Sequence, residues 1–229
     1  EIVGSLPPPL AQQLQDILQQ HQGRVRRQLS GWALLGLVAG TPLVLLLAFL
    51  AGNESLAQLL LNRIPLSVDQ TVGQQGLMQV QAEQVLVGAG PQVKAVKQIS
   101  QQLLHDPRFH YQFYVAANDE VNAFALPGGI VVVNQGLIAA TVDPEQLAAV
   151  LAHEIAHVER RHGMQLLVKQ LGLGMIWVFL TGDVSSVTSM AALQLMQLTF
   201  SRDAERDADH KALLMLHQAK INPQGLITF

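Results

Sequence analysis

Cysteine is absent from the 229 residues, which excludes disulfide frameworks, thiolate metal sites and cysteine nucleophiles. Any metal centre in this chain must be built from histidine and carboxylate. Charge is scarce as well. Asp, Glu, Lys and Arg make up 14% of the residues against 49% hydrophobic ones, which is low for a domain wholly surrounded by water and directs attention to a segment that meets lipid. There is no long basic run and the formal net charge is −3, so nucleic acid is set aside as a partner. Internal repeats and long low-complexity tracts are missing too. The length then allows one ordinary domain plus an appendage.

What is present divides the chain. The first residue is Glu1 rather than Met, and Phe229 falls inside an expected helix, so the sequence reads as a fragment of a longer protein. Residues 1–31 are Gln-rich, with Pro7, Pro8 and Pro9, and show no chemistry of their own. The run from Trp32 to Gly52 contains no charged side chain and is long enough for a helix to cross a hydrocarbon layer of about 30 Å. The competing reading is a buried core helix kinked at Pro42. Arg24, Arg26 and Arg27 precede the run while only Arg63 follows closely, and the positive-inside rule then puts residues 1–31 on the cytoplasmic side. Residues 53–90, with several Gly, read as a linker, and residues 91–229 as the functional domain.

Within that domain a helix is expected from Pro91 to Leu104, because Val93, Val96, Ile99 and Leu103 recur at helical spacing, and it should pack on the helix described below. Phe109–Ala116, Val121–Leu126 and Ile130–Val133 have extended character, with Pro127-Gly128-Gly129 as a tight turn between the last two. A small antiparallel sheet is the expectation. From Asp143 onward the pattern is helical apart from a break around Gly182, Asp183 and Ser185. The fold class is therefore α+β and helix-dominated.

The firmest helix runs from Pro144 to about His162, with Asp143 as N-cap, Pro144 at the first position, Glu145 at the positive end of the dipole and Gly163 available to close it. It contains His153-Glu154-Ile155-Ala156-His157. Two imidazoles four residues apart share one helical face and can converge on one ion. Glu154 lies about 100° around the helix, placed to reach a water on the metal without being a ligand. A catalytic zinc takes three protein ligands and keeps a fourth position for water. The candidate third ligand is Glu205, in Ser201-Arg202-Asp203-Ala204-Glu205-Arg206-Asp207-Ala208-Asp209. Asp209, one turn later, is placed to accept a hydrogen bond from the free ring nitrogen of a ligand histidine. The bland alternative is a solvated charged helix face. A third histidine six residues after the second would mark a different metallopeptidase pattern. Gly163 stands there, and His162, one position early, reads as structural or as an outer partner.

These residues resemble the gluzincins, the zinc metallopeptidases that include the CAAX prenyl protease and HtpX-type membrane peptidases with their periplasmic and mitochondrial quality-control relatives. The resemblance spans Asp106–Phe229 and rests on three blocks: Asn122-Ala123-Phe124-Ala125-Leu126-Pro127-Gly128-Gly129, the motif from His153 to His157, and Ser201-Arg202 leading to Glu205 and Ala208-Asp209. It implies a zincin-like domain with one Zn2+ on His153, His157 and Glu205, Asp209 behind them, and Glu154 as general base. It further implies that Asn122, Ala123, Phe124 and Ala125 form an edge strand that binds substrate backbone, a mode in which an extended peptide adds to a sheet. A further His or Arg that stabilises the transition state would lie beyond Phe229. The apolar stretch Met175–Leu180 is too short to span a bilayer and is expected to pack over the site or dip into the membrane surface.

The function so implied is a membrane-anchored zinc endopeptidase of protein quality control, in the bacterial inner membrane with its catalytic domain on the periplasmic side. Its partners would be lipid and polypeptides, unfolded or membrane proteins among them. Two alternatives stay open: a membrane-anchored, chaperone-like zinc protein with a closed, non-catalytic site, and a zinc hydrolase of small amides.

Overall fold

The computed structural model describes residues 61–105, 107–171 and 199–228. The run 32–52, residues 1–31, the stretch Met175–Leu180 and the break around Gly182 lie outside them. Among the described residues no helix is long and apolar enough to cross a membrane.

In chain order the elements are α1 (Leu66–Glu83), β1 (Leu86–Val87), α2 (Pro91–Leu103), β2 (Gln112–Ala116), β3 (Ala123–Leu126), β4 (Ile130–Asn134), α3 (Gln135–Ala140), α4 (Pro144–Glu159), α5 (His162–Leu171), α6 (Arg202–Gln218) and α7 (Gly225–Thr228). The strands form one sheet in the order β1-β2-β4-β3. The sheet is mixed rather than antiparallel as expected: β4 pairs antiparallel with β3 but parallel with β2. The reason lies in β4 itself. Its five residues are all buried, and a strand apolar on both faces belongs in the middle of a covered sheet. The chain leaving β2 therefore crosses to the far edge, makes β3, and returns through the Pro127-Gly128-Gly129 turn into the central place.

Side chains alternate across β4. Val131 and Val133 enter the main core with α2, α4 and α6, while Ile130 and Val132 meet Leu77 and Val80 of α1 on the opposite face. The linker expected at 53–90 is thus corrected, because residues 66–83 are a helix that covers one face of the sheet. Its buried positions Val72, Gly73, Gly76, Leu77 and Val80 make a helical stripe in which glycine replaces bulk. A Cβ on Gly73 would stand 1.9 Å from the Pro127 carbonyl oxygen. Close packing of the helix on the hairpin turn outweighs the poor helix propensity of glycine.

The helix α4 starts as expected. Asp143 Oδ1 accepts from the Gln146 amide at 2.8 Å, with Pro144 next in the chain. It stops earlier than expected, at Glu159, and Gly163 does not close it. Arg161 instead takes the left-handed conformation, φ 56°, and α5 begins at once. A non-glycine residue stays there only when its surroundings hold it. Here the buried Arg161 guanidinium donates through Nε to Asp69 Oδ2 at 2.9 Å, through Nη2 to Asp69 Oδ1, and through Nη1 to the Leu61 carbonyl at 2.8 Å. The α4 helix packs most extensively on α6, and also on α2, α7 and β3.

Candidate active site

The helix α4 presents His153 and His157 toward α6 and Glu154 toward β3, with His157 buried and the other two half-buried. Ser201 caps α6, its hydroxyl accepting from the Ala204 amide at 3.3 Å, and Glu205 sits in the first turn. There the positive end of the helix dipole favours a carboxylate. Glu205 Oε2 lies 3.3 Å from His153 Nε2 and 3.8 Å from His157 Nε2, and the two Nε2 atoms are 3.0 Å apart. The three residues named from sequence thus form one cluster whose ligand atoms all lie within 4.8 Å of one another. Zinc bonds near 2.0–2.1 Å in a tetrahedral site imply ligand–ligand edges of about 3.3 Å, which the three observed separations bracket. Two facing imidazole nitrogens beside a carboxylate oxygen are a donor set that a cation satisfies, so these residues fit the metal.

The other ring nitrogens are occupied as well. His153 Nδ1 lies 2.9 Å from Asp209 Oδ1, where sequence reasoning placed that carboxylate. His157 Nδ1 lies 3.1 Å from His162 Nδ1, and His162 Nε2 lies 3.3 Å from Asp207 Oδ2. Phe200 stacks on the His157 ring at 4.2 Å between centroids. Asp207 and Phe200 escaped the sequence reading. Their available signals were an acidic residue two before Asp209 and an aromatic immediately before the Ser201 cap.

The edge strand β3 borders α4. The Asn134 amide donates to the Asn122 carbonyl at 3.0 Å, so in this antiparallel pairing Phe124 and Leu126 also turn their backbone groups to β4. Ala123 and Ala125 turn theirs to the free edge. The Ala125 amide is bonded to the Glu154 carboxylate. Of the four residues expected to bind substrate backbone, Ala123 and Ala125 have edge-facing groups, Asn122 has its carbonyl committed to β4, and Phe124 packs toward the α1 face. On the far side of α4 the Tyr111 hydroxyl donates to Glu159 Oε1 at 2.8 Å, which ties the chain entering β2 to the end of the helix. Burial, then the charge of Glu159, pushes this phenol up so that it stays protonated.

Residues 92–229 match Peptidase family M48. The chain belongs to that family. Among its relatives are the beta-barrel assembly-enhancing protease of Escherichia coli (strain K12), 33% identical over 132 residues, and that of Yersinia pestis, 33% over 135. These alignments cover 52% and 53% of this chain but 27% and 28% of the relatives. The mitochondrial metalloendopeptidase OMA1 of Schizosaccharomyces pombe is 35% identical over 122 residues, covering 52% of this chain and 36% of that protein. The chain spans about a third or less of the relatives it matches.

Membership of M48 makes this a metallopeptidase domain and implies a metal cofactor. The electrostatics of the M48 site agree with that chemistry. Burial, then the neighbouring imidazoles of His153 and His162, lowers the His157 pKa to about 3, so the ring is neutral at ordinary pH and keeps a lone pair on one nitrogen, as a metal ligand must. Burial, then the Glu205 charge, raises Glu154 to about 8, against the pull of the Ala125 amide. A carboxyl with its pKa near the working pH is suited to both taking and giving a proton.

Proposed function

We propose that this chain is a zinc endopeptidase in which His153, His157 and Glu205 hold one Zn2+, Asp209 orients His153, and Glu154 is the general base. The observation that carries the proposal is the convergence of the three ligand atoms within 4.8 Å beside the Glu154 carboxyl. When bound, zinc supplies Lewis acidity, acidifying a water and polarising the scissile carbonyl. Glu154 takes the proton of the attacking water and delivers it to the leaving amine. The Ala125 amide holds the Glu154 carboxylate on the side of the edge strand. An extended polypeptide added to β3 would pair with the edge-facing groups of Ala123 and with the Ala125 carbonyl, and this favours polypeptide over small amides as substrate.

The wider role we propose is protein quality control at a membrane. The protein would be anchored by the run 32–52 in a bacterial inner membrane, with residues 91–229 on the periplasmic side and unfolded or membrane proteins as substrates. The names of the relatives, a protease that enhances β-barrel assembly and a mitochondrial endopeptidase, support this role over prenyl-protein processing of the CAAX kind. Metal analysis of the purified chain tests the site. One zinc per chain is expected in the wild type, with loss in His153→Ala, His157→Ala and Glu205→Ala and retention in Glu154→Gln. Full zinc content in Glu205→Ala would remove Glu205 from the ligand set.

A further inference from the structure

Each candidate ligand histidine turns its second nitrogen to a different support. For His153 the support is the carboxylate of Asp209. For His157 it is another imidazole, and that imidazole reaches a carboxylate of its own. We propose that His162 and Asp207 are a positioning relay for His157, fixing the orientation and the tautomer in which its Nε2 lone pair faces the metal. This rests on the zinc reading above.

The direction of every bond in the relay follows from its first member. His157 Nε2 points to His153 Nε2 at 3.0 Å and Glu205 Oε2 at 3.8 Å, so as a ligand it carries no proton and Nδ1 carries it. His157 Nδ1–H then donates to His162 Nδ1 at 3.1 Å. His162 must hold its proton on Nε2, which donates to Asp207 Oδ2 at 3.3 Å. A carboxylate can only accept, so Asp207 selects the tautomer of His162, and His162 selects that of His157. The opposite tautomer would aim an N–H at the metal position. Both imidazoles are almost fully buried, His157 at 3% and His162 at 4% exposure, where an unmatched polar pair is costly. Phe200 closes the assembly by lying over His157 and 6.1 Å from His162. The left-handed turn at Arg161 is what brings His162 back beside His157.

The test is zinc affinity, measured on the full chain by competition with a chromogenic chelator, with the melting temperature of the metal-free protein recorded beside it. Removing an outer partner of a metal ligand weakens binding by about 10–100-fold, and His162→Leu should do so. His162→Asn keeps an acceptor near the Nδ1 position and should stay within about threefold of wild type, while Asp207→Ala should weaken binding by about tenfold. Arg160 also pairs with Asp207, Nε to Oδ2 at 3.1 Å, and Arg160→Gln should leave affinity unchanged. Wild-type zinc affinity in a folded His162→Leu protein, whatever its melting temperature, gives His162 a packing role only and overturns the relay. Equal weakening by Arg160→Gln and Asp207→Ala overturns it also. Should His162→Leu fail to fold, Asp207→Ala decides, since Asp207 is half-exposed, and unchanged affinity there rejects the relay. A wild-type chain that takes up no zinc overturns the zinc reading and the relay together, whereas zinc uptake with unaffected variants overturns the relay alone.

Discussion

Glu154 meets two opposed demands, burial beside Glu205 and bonding to the Ala125 amide, and burial wins. Its folded pKa of about 8 stands above the ordinary 4.5, so between those values the folded metal-free chain binds more protons than the unfolded one. Stability contributed by this group is then lost as pH rises through that window. Glu154→Gln removes the effect. Denaturant unfolding of chelator-stripped protein should show the variant gaining on wild type from pH 5 to 8, and parallel pH profiles would contradict the assignment. At this scale the sequence was most informative where geometry is local. The His153 and His157 pair, and Asp209 one turn after Glu205, follow from helical periodicity alone. His162 reads from sequence as structural or as an outer partner, and it lies 3.1 Å from His157, but which residue it meets does not follow from one continuous helix. The helix ends at Glu159 and the left-handed Arg161 restarts the count.

Among the elements, the clamp between Arg161 and Asp69 joins the start of α1 to the junction of α4 and α5, with the Leu61 carbonyl as a further acceptor. Removing one partner of a buried, hydrogen-bonded ion pair strands the other charge and costs about 3–5 kcal/mol. Arg161→Ala should lose about that much in urea unfolding, and a loss under about 1 kcal/mol would mean the pair is solvated. Asp69 sits in the stretch read as a linker. Residues 66–83 hold good helix formers, five of them Gln, but Gly73 and Gly76 interrupt the buried stripe, and the need for glycine becomes visible only with the Pro127 turn against it. The parallel pairing of β2 with β4 was similarly hidden. Ile130–Val133 reads from sequence as an extended segment of an antiparallel sheet, and its pairing on the second side depends on a crossover that local pattern does not encode.

For the whole molecule, the candidate ligands come from α4 and α6, separated along the chain and joined only by folding. A metal that binds the folded state alone stabilises it by about 2.7 kcal/mol at a hundred times its dissociation constant. Calorimetry should therefore show a zinc-loaded chain melting several degrees higher than the same chain in excess chelator. Identical transitions would mean that the cluster binds no metal tightly. The α+β class and the clustering of His153, His157 and Glu205 could be read from sequence because a helix-dominated domain writes its periodicity plainly. The topology of the sheet and the helix covering its second face depend on contacts between distant segments and required the structure.

Peptide hydrolysis with Glu154 as base is tested most directly by cleavage of casein by zinc-loaded wild type beside Glu154→Gln. Wild type is expected to cleave and the variant to lose about 10²–10⁴-fold, with zinc content equal in both. Equal cleavage by the two proteins would contradict Glu154 as the base.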